Sequence, residues 1–131
     1  MSTRIVDNNA IHTYTESEKV AYVNFVNRLV GDDPYLVDNG YVPIDPNTDQ
    51  VFQSLKDGQV LACVVHHVSP RNIDLNKIMR PKEGKKLNPF QVNENIRYVL
   101  KCMNEAGMST LNIGPQDLQQ GKAYLVFSLL F

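Results

Sequence analysis

A chain of 131 residues with 43% hydrophobic side chains fits a single domain, one that buries roughly two thirds of its unfolded surface and needs no disulfide or metal staple. Its formal net charge of -1 supplies no global basic field for nucleic acid. No secretory signal and no apolar run of about 18 residues or more is visible.

Residues 1–14 (MSTRIVDNNAIHTY) carry no sustained period and are expected to form a flexible arm ahead of a domain over 15–131. Thr15 to Glu18 has the capping-box pattern and opens a helix that runs to about Val30. Val23, Val26, Leu29 and Val30, with Tyr22 alongside, make its core face, and Gly31 ends it. Residues 31–50 hold Gly31, Pro34, Gly40, Pro43 and Pro46 and read as a long loop, a length that in compact domains is functional or inserted.

The next stretch, LKDGQVLACVVHHVSP from Leu55 to Pro70, is a helix by spacing. Residues about 100° apart put Val60, Leu61, Val64, Val65 and Val68 on one stripe. Asp57 before Gly58 is an N-cap candidate, its carboxylate accepting a first-turn backbone N–H, and Ser69-Pro70 stops the helix. His66 and His67 are sequential and point in different directions, so one helix does not aim both at one ion. One ring is expected to pack at the core edge and the other to meet solvent. Cys63, and Cys102 further on, lie beside apolar helical faces and read as reduced, semi-buried thiols of a cytosolic protein.

After a basic loop, Asn88-Pro89 starts a helix with a cap and a first-turn proline. Val92, Ile96, Val99, Leu100 and Met103 follow its inner face, and Gly107 is its C-cap. The turn GPQDLQQG, Gly114 to Gly121, leads to a last helix with Leu125, Val126, Leu129 and Leu130. This gives an all-α reading of four main helices, short connecting turns and no convincing strand alternation. The apolar pattern still runs at Phe131, so the native polypeptide is expected to continue and this chain to be one domain of it.

Several stretches imitate active sites. Asp45, Asn47 and Asp49 match the first ligands of a calcium loop, but Gln50 stands in place of the turn glycine and Lys56 in place of the bidentate glutamate. GPQDLQQGK spaces its glycines too widely for a phosphate loop, and Ala123 replaces the magnesium-binding hydroxyl. No Gly-x-Ser-x-Gly, His-Glu-x-x-His or paired Cys-x-x-Cys pattern occurs, so the chain reads as no enzyme, with no cofactor and no metal. KIMRPKEGKK carries Lys77, Arg80, Lys82, Lys85 and Lys86 against the single acid Glu83. Such a loop is plain solvated surface, or it attracts an acidic filament, an inositol-lipid headgroup or nucleic acid.

EKVAYVNFVN (Glu18 to Asn27) resembles the first signature of actin-binding calponin-homology domains, and LKDGQVLACVV (Leu55 to Val65) the Leu-x-Asp-Gly-x-x-Leu core of the second. Over roughly residues 12–131 the chain is most similar to the first such domain of the fimbrin/plastin family. HTYTESEKVAYVNFVN, PIDPNTDQVFQSLKDGQVL, LNPFQVNENIRYVL and LNIGPQDLQQGKAYLVFSLL carry the match in the family's order.

The resemblance implies an all-α calponin-homology fold in which Leu55 to Pro70 is a central core helix. It places a short helix from about Thr48 beside a DPNTD loop that holds no calcium. It implies binding to filamentous actin, in a cytoplasmic, cytoskeletal setting, as one module of a bundling protein with further calponin-homology domains. Contact would run through the first helix and through Met108 to Phe131. The candidates, chosen as solvent-facing by helical phase, are Glu18, Lys19 and Asn27 on the first and Asn112, Gln116, Gln119 and Lys122 on the second. Lys82, Lys85 and Lys86 are the candidates for an inositol-lipid contact, with no membrane span. A single-domain scaffold or microtubule-binding module is the alternative, against which the net charge of -1 argues mildly. Phe25 and Phe131 stand where the family usually has tryptophan, which keeps an aromatic anchor but loses the indole N–H and some volume. The calcium-binding EF-hands that usually precede this domain in fimbrins have no counterpart in the sequence, nor have the later domains that bundling would require.

Overall fold

The structure, a computed structural model, describes residues 2–7 and 10–107, with side chains described at 16–17 and 19–107. Two strands, β1 (Ser2–Asp7) and β2 (Ala10–Thr15), pair antiparallel from Ser2 opposite Thr15 to Asp7 opposite Ala10. Among the described residues five α-helices follow: α1 (Glu16–Val30), α2 (Pro34–Asp38), α3 (Gln50–Ser54), α4 (Gln59–Val68) and α5 (Pro89–Glu105). Single 3-10 turns at Pro70–Asn72 and Leu75–Lys77 link α4 to α5.

The body is all-helical as expected, whereas the hairpin departs from the reading of 1–14 as an arm without strands. Ile5, Val6, Ile11, Thr13 and Thr15 favour extended backbone, yet they alternate with no regular polar partner, so a period-two search passes over them. The last expected helix lies outside the described residues.

The core is built around α4, where every residue from Gln59 to Val65 is buried. It packs against α1, which contributes Tyr22, Val23, Val26 and Val30, and against α5, which contributes Ile96, Val99, Leu100, Cys102 and Met103. The α4 stripe ends sooner than its spacing predicts, because Val68 is half exposed and both His66 and His67 face solvent. The edge-packed histidine is thus corrected: the core stops before the helix does. α5 opens as its sequence requires. Asn88 Oδ1 accepts Gln91 N–H at 2.8 Å, Gln91 Oε1 accepts Asn88 N–H at 2.9 Å, and Pro89 takes the first turn.

At the start of α4 the cap is displaced by one residue. Gly58 occupies the N-cap with φ +85°, and the carboxylate of Asp57, one position earlier, accepts the Gln59 N–H at 3.1 Å. A Cβ on Gly58 would stand 3.2 Å from the Asn95 Cβ in a left-handed conformation, so this Asp-Gly step serves both the turn and the close approach of α5.

The long 31–50 connection is part of the core. Asp33 caps α2 through Leu36 N–H at 3.0 Å, and Leu36, Val42 and Ile44 join the buried cluster. This corrects the reading of an unstructured loop: Pro34 starts a helical turn. The short helix expected near Thr48 is α3, which begins at Gln50 after Asp49.

Candidate functional site

The outer side of α1 is the first surface to assign. Ala21, Asn24 and Arg28 are exposed along it. Lys19 and Asn27, expected among the solvent-facing residues, are turned the other way. Lys19 is 3% exposed, and its Nζ donates to Thr48 O at 3.0 Å between the carboxylates of Glu16 (3.3 Å) and Asp49 (3.7 Å). Half-buried Asn27 donates from Nδ2 to Ile44 O and accepts Ile44 N–H on Oδ1, both at 2.8 Å. The chain from Tyr41 to Asp49 has folded over this face of the helix. Both solvent-facing assignments are therefore corrected: helical phase places the residues on a face but does not reveal that a distant segment covers it.

The same segment explains the false calcium loop. Asp45 Oδ1 accepts Asn47 N–H at 2.9 Å and Asp45 O accepts the Thr48 N–H at 3.4 Å, while Asp49 pairs with Lys19. These oxygens make a turn and anchor it. Among the described residues no group of three or more His, Cys, Asp or Glu side chains is placed to hold a metal.

Glu18 lies in α1 with its side chain outside the described set, and Asn112, Gln116, Gln119 and Lys122 lie wholly outside it. Of the actin-contact candidates, the structure therefore brings together only Lys19 and Asn27, as anchors of one loop.

The basic loop divides into two kinds of cation. Arg80 stacks 3.8 Å from the Tyr35 ring centre and Lys77 lies 5.7 Å from that of Tyr98, so both are held against aromatic faces. Lys82, Lys85 and Lys86 are exposed and form no ion pair among the described residues. A turn closed by Lys85 N–H to Lys82 O at 2.9 Å, with Gly84 at φ +73°, fixes how the three are presented. They line a depression with Arg80 and Leu87.

Beside it runs a second groove, lined by Asn39, Tyr41, Gln53, Asp57, Lys85 and Lys86 among others. The Tyr41 hydroxyl donates to Asp57 in its wall. Burial pushes the Asp57 carboxyl above its ordinary range, against the hydrogen bonds from Tyr41 and Gln59 N–H that pull it down. Burial and the neighbouring Asp57 charge push the Tyr41 hydroxyl up as well. Cys63 and Cys102 are free, buried thiols, and burial raises Cys63 to about 11.

Three partners escaped the sequence reading. Asn95 and Gln59, 1% and 2% exposed, both reach Met79 O at 2.8 Å, and Tyr41 reaches Asp57. The signal available was that Gln59 and Asn95 sit at core-facing helical positions, where a polar side chain needs a partner.

The described geometry is thus a helical body with an exposed α1 face and a basic turn flanked by grooves. The family model of the Calponin homology (CH) domain matches residues 16–131. The chain is 39% identical to Plastin-1 of Bos taurus over 120 residues, 92% of this chain and 18% of that protein. It is 40% identical to Fimbrin-5 of Arabidopsis thaliana over 119 residues, 91% of this chain and 17% of that protein. It therefore spans less than a fifth of either relative. Its structure resembles the actin-crosslinking core of Schizosaccharomyces pombe fimbrin with a TM-score of 0.77 and 26% identity, over 88% of this chain and 24% of that one.

Proposed function

The chain belongs to the calponin homology domain family, and from that premise we propose that it is an actin-filament-binding module of a fimbrin/plastin-like cross-linking protein. The observation that carries this reading is likeness to fimbrins and plastins at both levels, over nine tenths of the sequence and in the superposition on the core of a fimbrin described as actin-crosslinking. The setting is the actin cytoskeleton of the cytoplasm, and no catalytic step enters.

The exposed α1 residues Asn24 and Arg28 form part of the contact, together with Glu18 and with Asn112, Gln116, Gln119 and Lys122. Lys19 and Asn27 support it from within, by holding the Tyr41 to Asp49 segment against the helix. The physical basis is a mixed apolar and polar patch with basic residues that speed encounter, so binding weakens as salt rises. Bundling belongs to a longer protein with further calponin-homology domains. One domain offers one contact and lacks the effective concentration of a linked partner, so its own affinity is weak.

Co-sedimentation of this chain with filamentous actin at low and at physiological salt tests the reading. Saturable pelleting that Arg28→Glu weakens at unchanged fold is the expected result. Absence of pelleting at low salt and high filament concentration rejects it. A peripheral inositol-lipid contact through Lys82, Lys85 and Lys86 is the second reading, favoured by their exposure with no ion pair among the described residues. It is dropped if reversing the three charges leaves binding to inositol-lipid vesicles unchanged.

A further inference from the structure

Asn39 and Gly40 close α2, and both are exposed. Gly40 has φ +77°, and a Cβ built on it meets nothing within 4 Å, so neither a side chain nor a neighbouring element crowds its Cα. An asparagine followed by a residue with no side chain to crowd its backbone nitrogen has a chemistry of its own. We propose that Asn39-Gly40 is a self-modification site, at which the side-chain amide is converted through a cyclic imide into the carboxylate of aspartate or isoaspartate.

The step needs only water. The backbone nitrogen of Gly40, its proton lost to solvent base, attacks Cγ of Asn39, the Cγ–Nδ2 bond breaks as Nδ2 takes a proton back from solvent, and ammonia leaves. Water then adds to either imide carbonyl. Opening on the side-chain side gives aspartate, and opening on the main-chain side gives isoaspartate. The rate therefore rises with pH.

In the ground state both reacting groups are engaged. Asn39 Nδ2 donates to Tyr35 O at 2.8 Å, Asn39 N–H donates to the same oxygen at 3.1 Å, and Gly40 N–H donates to Val37 O at 3.2 Å. With ψ near 10°, Asn39 does not present Cγ to the next nitrogen. The reaction is gated by release of this turn, and the gate is weak. α2 has five residues, buries only Leu36 and depends at its other end on the single Asp33 cap. So short a helix has little stability of its own, and local opening of such a turn lies at the low end of the protein's range.

The product matters because of where Asn39 stands. It lines the groove that also carries Lys85 and Lys86, lysines with no acidic partner among the described residues. A carboxylate at position 39 reduces the positive field of that groove, and the isoaspartate form lengthens the main chain beside Tyr41, which is tied to Asp57.

The test is peptide mapping of the whole chain after incubation at physiological temperature and mildly alkaline pH, with isoaspartate read by enzymatic methylation. Mixed aspartate and isoaspartate at position 39 is the expected result, and it disappears in Asn39→Gln, whose longer side chain closes the ring poorly. Asp33→Ala, which removes the α2 cap, speeds conversion roughly fivefold, the factor expected for loss of one N-cap. Urea below the unfolding transition serves the same purpose on the unaltered chain if Asp33→Ala does not fold. The proposal fails if the native chain keeps its amide over an interval in which the urea-unfolded chain converts. Its gating fails if neither Asp33→Ala nor mild urea changes the native rate.

Discussion

Asn95 on α5 holds Met79 by both of its backbone groups: Met79 N–H donates to Asn95 Oδ1 and Asn95 Nδ2 donates to Met79 O, each at 2.8 Å. Gln59 Nε2 on α4 donates to the same carbonyl at 2.8 Å, so one loop residue is tied to two core helices. Asn95 is 1% exposed, and its removal leaves the Met79 backbone groups without these partners. Asn95→Ala is expected to cost about 2–3 kcal/mol, while Asn95→Asp, which keeps the acceptor but buries a charge, costs at least as much. Urea unfolding of both variants checks this; a loss below about 0.5 kcal/mol for Asn95→Ala shows that water replaces the clamp.

Lys19 separates a structural role from a binding one. Lys19→Met keeps the buried stem and loses the bond to Thr48 O and the pairs with Glu16 and Asp49, a change of about 1 kcal/mol. Lys19→Glu sets a third carboxylate beside those two and is expected to cost about 2–4 kcal/mol. If Lys19 acts only through the loop, Lys19→Met at a temperature where it is folded pellets with actin as the unaltered chain does. A tenfold loss of affinity in a fully folded Lys19→Met would assign it to the filament contact.

The contrast between α5 and α1 explains what could be read in advance. The capping asparagine, first-turn proline and inner face of α5 are local in sequence, and each is found as expected, from Asn88 to Met103. On α1 the core positions Val23, Val26 and Val30 were equally plain, because burial follows the helical period. Lys19 and Asn27 were misjudged because their partners are Thr48 and Ile44, and no local pattern announces a segment that returns from so far along the chain. Leu36, Val42 and Ile44 were concealed in the same way by a proline- and glycine-rich composition that reads as loop. The candidate surface was legible in its basic turn, where the exposure that charge favours holds for Lys82, Lys85 and Lys86 although it fails for Lys19.

Gly58 is a position where a methyl group is expected to be costly. Its φ of +85° is unfavourable for any residue with a Cβ, and that atom would meet Asn95 Cβ at 3.2 Å. Gly58→Ala should lose about 1–3 kcal/mol by combining left-handed strain with pressure on α5. Thermal unfolding measures it. An unchanged midpoint would mean that α4 and α5 separate without cost.

The two thiols report on opening of the core. Cys63 is 7% exposed with its thiol raised to about 11, and Cys102 is 2% exposed. Near neutral pH the native chain should therefore react slowly with a thiol-exchange reagent, and urea should release both cysteines together. Immediate reaction of Cys63 in the native chain would contradict its burial.

Asp57 makes the stability of the domain depend on pH in a direction opposite to that of most carboxylates. Burial raises its folded pKa above the ordinary value of 3.8, so over the interval between the two values the folded state binds more proton than the unfolded state. Its contribution to stability is then fully present below about 3.8 and is lost as pH rises through the raised folded value. Asp57→Asn keeps an oxygen to accept the Gln59 N–H and carries no charge, so it lacks this dependence. The stability of the unaltered chain relative to Asp57→Asn should therefore improve as pH falls from neutral through the raised value and level off below 3.8. Paired urea titrations across that range measure the difference directly, and other groups cancel between the two chains. A difference that instead grows with rising pH would mean that the Tyr41 hydroxyl and the Gln59 N–H stabilise the carboxylate more than burial disfavours it.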